Sequence, residues 1–76
     1  MLTFEWDSEA EQLEIHADAN GLNDLVSQLL KLAAHSEIDH IHLMTEDWGG
    51  DELSSDKQNQ GAELVHHVKV FKWESE

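Results

Sequence analysis

Along residues 2–6 apolar and polar side chains alternate, with Leu2, Phe4 and Trp6 on one side and Thr3 and Glu5 on the other. A two-residue period belongs to a half-buried strand, so the first three are expected inward and the other two outward. Asp7-Ser8-Glu9-Ala10 reads as a polar turn, after which Leu13, Ile15 and Ala17 alternate with Gln12, Glu14 and His16. Two such runs joined by a short polar segment predict a β-hairpin. The period changes at Asp18. From there Leu22, Leu25, Val26, Leu29, Leu30, Leu32 and Ala33 fall at helical spacing and form one apolar stripe. Asp18 as N-cap places Ala17 and Leu22 at the positions of a hydrophobic staple. Asn20 is a second possible cap, and the helix is expected to fade near His35-Ser36.

Alternation returns over residues 39–45, where Ile41 and Leu43 share one face and His40, His42 and Met44 the other. A polar stretch, 46–62, follows. The last run, 63–73, has the β-branched and aromatic content of a strand (Leu64, Val65, Val68, Val70, Phe71, Trp73), but its alternation falters at His66-His67, which predicts a bulge or burial on both sides. The expected fold is a single α+β domain over residues 1–76, ordered β-β-α-β-β. One amphipathic helix packs on a four-stranded, mainly antiparallel sheet.

Composition narrows the function. Leu, Ile, Val and Phe make up 19 of 76 residues, enough for a small core despite 17 Asp and Glu against 4 Lys and no Arg. A formal charge of −13 repels nucleic acid and anionic lipid and favours a basic protein partner. The bland reading of that charge is solubility alone. There is no Cys for a disulfide or a thiolate zinc site. No apolar run reaches the roughly 20 residues of a membrane span, and no export signal opens the chain, so a cytoplasmic location is expected. Phosphate-binding loops and nucleophile motifs are missing as well; neither an enzyme nor a cofactor is expected.

The segment 45–53 is the hardest to explain by folding alone. It joins neighbouring strands through a connection far longer than the usual two to six residues, and residues 46–56 hold Glu46, Asp47, Asp51, Glu52 and Asp56 with no positive charge. Trp48 stands among them beside Gly49 and Gly50, which would let the backbone turn sharply and expose the indole. Glu46, Asp47, Trp48, Gly49, Gly50, Asp51, Glu52 and Leu53 are therefore the candidate partner-binding residues. The competing reading folds Trp48 back as a lid on the core. Six histidines raise a second possibility, a metal-binding sensor or regulator, with His40 and His42 on one strand face, His66 or His67 opposite, and Asp39 or Glu63 as an oxygen ligand. The plainer alternative is that they fill one polar sheet face. A third reading is a small structural module that dimerises through an open sheet edge.

The string Asp39-His-Ile-His-Leu-Met-Thr45, then Trp48-Gly-Gly-Asp-Glu-Leu-Ser54 and Leu64-Val-His-His67, resembles a known family, the polymorphic-toxin immunity proteins numbered thirty-two. The helix that opens after Asp18, with Gly21, Leu22, Leu25, Gln28 and Leu29 at matching positions, is similar too. The likeness spans roughly residues 15–73, while the first hairpin contributes little. It implies a small cytoplasmic antitoxin that binds a toxin encoded beside it, with no catalytic activity of its own. Many such toxins are nucleases or other enzymes with basic clefts, which agrees with the charge. A homodimer would not conflict with that role. The resemblance also gives weight to His42, His66 and His67.

Overall fold

The computed structural model describes residues 1–74. β1 (Leu2–Asp7) and β2 (Gln12–Ala17) form the predicted antiparallel hairpin, with Phe4 opposite Ile15 and Trp6 opposite Leu13. Its turn is held by Asp7, whose Oδ1 accepts from the amides of Glu9 and Ala10, and it closes through Glu11 at φ 53. α1 (Ala19–Ala34) starts where the cap residue sets it: Asp18 is extended, and its Oδ1 accepts from Gly21 N at 2.8 Å. At the far end Lys72 donates Nζ to the carbonyls of Leu32 and His35, placing a cation on the negative end of the helix dipole. β3 (His40–Met44) follows, and then a single 3-10 turn, Glu46–Trp48.

The last run is not one strand. It divides at His66 into β4 (Glu63–Val65) and β5 (His67–Phe71), and the two halves pair with different partners. Among the described residues the expected four-stranded sheet is therefore five strands in two small sheets, ordered β2-β1-β4 and β3-β5, every strand pairing antiparallel. The break has a local cause. His66 gives its carbonyl to Thr45 N at 3.0 Å, and its ring Nδ1 lies 2.8 Å from Thr45 Oγ1. Thr45 itself is fully buried. The uneven alternation at His66-His67 is the sequence trace of this break.

The core is Leu2, Phe4, Leu32, Ile41, Leu43 and Leu53, with Leu25, Ile38, Val65, Val68 and Val70 packed against it. Two expectations about faces fail. Thr3 and Glu5, expected outward, are fully buried, while Trp6, Leu13 and Ile15 are 39%, 55% and 49% exposed. The stretch 54–62 runs back across the polar side of β1 and covers it; α1 covers only the Leu2 and Phe4 end of the apolar side. The helix stripe is likewise only partly used. Gly21 and Leu32 are buried and Leu25 is half-buried, but Leu22, Val26, Leu29 and Leu30 remain exposed. Two small sheets offer one helix less apolar surface than the single broad sheet the stripe suggested. No helix among the described residues is long and apolar enough to cross a membrane.

Candidate functional site

The segment after β3 is pinned at both ends, and this is what presents its middle. Thr45 bridges Leu53, Leu53 N donates to the Met44 carbonyl, and Ser54 N donates to the Leu2 carbonyl at 2.8 Å. Leu53 is 2% exposed and belongs to the core. Between these anchors Trp48 N bonds the Thr45 carbonyl, Gly49 N bonds Glu46, and Gly50 N returns to Thr45 at 2.9 Å.

The two glycines do different things. Gly49 sits at φ 87, a left-handed conformation that costs any residue with a Cβ, and has open space around it. A Cβ on Gly50 would strike the Met44 carbonyl and side chain. Together they return the chain to β3 within one turn. Trp48 is left 59% exposed, stacked on His66 with ring centroids 5.8 Å apart and planes 11° from parallel.

Carboxylates surround this indole. Glu46, Asp47 and Asp51 are exposed and Glu52 is half-buried, where its Oε1 accepts from Met44 N and its Oε2 from Asp51 N. The Asp51 carboxyl is raised above its ordinary value by Glu52, through a hydrogen bond and charge repulsion, whereas Glu52 is lowered by the hydrogen bonds it receives from Asp51 and the backbone. Any shared proton thus resides on Asp51. Glu46, Asp51, Glu52 and Asp56 face Asp24 of α1 across a hollow of about 370 Å³, next to a second of about 240 Å³ floored by Leu2, Leu25 and Leu43. Asp24, Asp51 and Glu52 line both hollows, and three carboxylates beside an apolar floor fit a cationic side chain with an aliphatic stem. Asp24 was not among the sequence candidates, because helical spacing shows only that it lies off the apolar stripe.

The histidines line the outer face of β3 and β5. His42 Nδ1 lies 2.8 Å from His67 Nε2, the His40 ring meets His42 edge-on at 5.0 Å, and Phe71 and Lys69 complete the row. Desolvation lowers the His42 pKa, reinforced by the nearby charges of His40, His67 and Lys69. His66 is turned to Thr45 instead. Three donors from this set do not converge.

Among the described residues one group brings three such donors within 4.8 Å of one another: Glu5, Glu14 and His16. Sequence reading missed it, having placed Glu5 in solvent. Its chemistry is already engaged. Glu5 accepts from the Thr3 hydroxyl and from the amides of Gln58 and Asn59; Glu14 meets His16 Nε2 at 2.9 Å and the Asn59 side chain at 3.0 Å. Burial alone would raise the Glu5 carboxyl, but its three donors outweigh that and hold it low. His16, with Asn59 and Gln12, brings Glu14 down to about 2. These groups clasp the 54–62 stretch to the sheet.

A family model described as immunity protein 32 matches residues 12–69. No curated protein and no solved structure matches the chain.

Proposed function

The chain belongs to the immunity protein 32 family, and from that premise we propose that it neutralises a cognate toxin by laying the acidic segment 46–52 over a basic substrate cleft. Membership implies a toxin partner and its inhibition, not a reaction catalysed by this chain. The observation that carries the finer reading is Trp48, 59% exposed on a pinned turn, with carboxylates on either side of it. An aromatic anchor inside a charged rim is the arrangement that concentrates binding energy at protein interfaces. The anchor enters a crevice of the toxin, and Glu46, Asp47, Asp51 and Glu52 meet the cationic groups that would otherwise hold substrate. A nuclease, whose cleft is built for a polyanion, is the partner class this charge suits best. Inhibition takes place in the cytoplasm of the cell that makes the toxin.

The test is binding of the purified chain to the toxic domain encoded beside it, paired with rescue of growth when both are expressed. Wild type is expected to form a one-to-one complex and restore growth. Trp48→Ala is expected to weaken binding by roughly 30-fold, about 2 kcal/mol, while the unfolding free energy changes by less than about 1 kcal/mol. A variant that binds like wild type, or one that unfolds outright, would remove Trp48 from the interface.

A further inference from the structure

The acidic segment leaves unexplained the apolar half of α1 that faces solvent. Leu22, Val26, Leu29 and Leu30 are 53%, 48%, 42% and 63% exposed. Spaced four, three and one residues apart, they form a ridge about 12 Å long. The opposite flank of the helix, with Asp24 and Gln28, lines the acidic hollow, so the ridge points away from Trp48 and its carboxylates.

A second exposed apolar set lies on the sheet. Trp6 shares the face of β1 that carries Leu2 and Phe4, and cross-strand pairing puts Leu13 and Ile15 on that same face. This is the side that α1 covers at its Leu2 end and leaves open at its Trp6 end.

Charge around the hairpin end says what covers them. Of the 17 acidic residues the helix carries one, Asp24, and Lys31 is its only cation. The exposed ridge is free of either sign, while Glu9, Glu11 and Glu63 border the hairpin end. A second copy of the chain would bring another −13 against these borders. A basic protein would be drawn to them.

We propose that the exposed ridge of α1, with the open face of the hairpin, is a second docking surface for the same toxin, taking an apolar patch flanked by basic residues. This rests on the antitoxin reading above but concerns a different surface. The toxin would be held on two flanks of the helix, by charge and an indole on one and by apolar burial on the other.

The double variant Val26→Gln/Leu30→Gln tests it, with Leu30→Gln alone as the milder change at the most exposed position. Both introduce good helix formers, and circular dichroism and thermal melting are expected to match wild type. Affinity for the neighbouring toxic domain is expected to fall at least 30-fold in the double variant and several-fold in the single one. The dependence on salt should stay unchanged, because no charge is altered. Wild-type affinity in a folded double variant would overturn the proposal, as would light scattering that shows a wild-type dimer split by the substitutions. If Trp48→Ala loses binding and the helix variants do not, the acidic-loop reading stands and this one falls. If the wild-type chain does not bind the toxic domain at all, both fall.

Discussion

A methyl group on Gly21 would overlap the Met1 carbonyl oxygen, and the sign of that substitution separates two effects. Helix propensity alone favours alanine over glycine by about 1 kcal/mol. The obstacle is backbone, held in turn by Asp18 N on the same carbonyl and by the Met1 ammonium on Asp18 Oδ1 at 2.8 Å, so it cannot swing aside. Forcing atoms into such a site costs about 1–3 kcal/mol. Gly21→Ala is therefore expected to be net destabilising, by up to about 2 kcal/mol in urea unfolding, whereas a stabilised protein would show that the N-terminal contact gives way. Gly49→Ala, with open space but a left-handed backbone, should cost about 1 kcal/mol through conformation alone. The Gly49-Gly50 turn was legible in the sequence, whereas Trp48 could be read there as exposed or as a lid on the core, and it is the structure that leaves it 59% exposed. Gly21 was not: its reason is a contact with a residue twenty positions earlier, which periodicity does not encode.

At the scale of elements, the stretch 54–62 behaves as part of the fold although it has almost no regular structure. Two backbone amides and a hydroxyl point at Glu5, which is fully buried. Glu5→Ala would leave all three without a partner, and about 3 kcal/mol of stability should go with it. Amide exchange at Gln58 and Asn59 should accelerate more than exchange in α1. Acid should loosen the same clasp. Glu14 has a folded-state pKa near 2, below its ordinary 4.5, so its stabilisation is complete above the ordinary value and is lost as pH falls through about 2; Glu5 acts in the same direction. Melting temperature against pH should therefore drop between pH 4.5 and 2, and Glu14→Gln should flatten that slope. An unchanged slope would place the acid sensitivity elsewhere. The limits of α1, the inward Ile41 and Leu43, and the fault at His66 could all be read from local pattern. What could not be read was which side of β1 would be covered by what. Alternation defines two faces but not which receives the helix, and a polar loop that buries Thr3 and Glu5 through hydrogen bonds leaves no apolar signature.

For the whole molecule the decisive quantity is −13 on 76 residues. Such a charge works against compactness, and one helix over two small sheets has little apolar burial with which to oppose it. The distribution of charge matters more than its sum. Carboxylates crowd the 46–56 segment and are nearly missing from α1, so the field is stronger at the Trp48 turn than at the exposed ridge. A basic toxin approaching from solution should therefore be steered to the turn rather than to the ridge. Steering acts over the Debye length, about 30 Å at 0.01 M salt and about 8 Å at 0.15 M. The association rate should fall at least tenfold between those concentrations, while the dissociation rate, which the proposed interface assigns to the indole and the apolar contacts, should change little. Lowering pH should weaken the same step, in part through Asp51, whose carboxyl is raised above its ordinary value by Glu52. Stopped-flow mixing with the toxic domain at several salt concentrations measures both rates. A salt effect confined to dissociation would mean that the carboxylates act only in the closed interface, and it would take the steering role away from the charge.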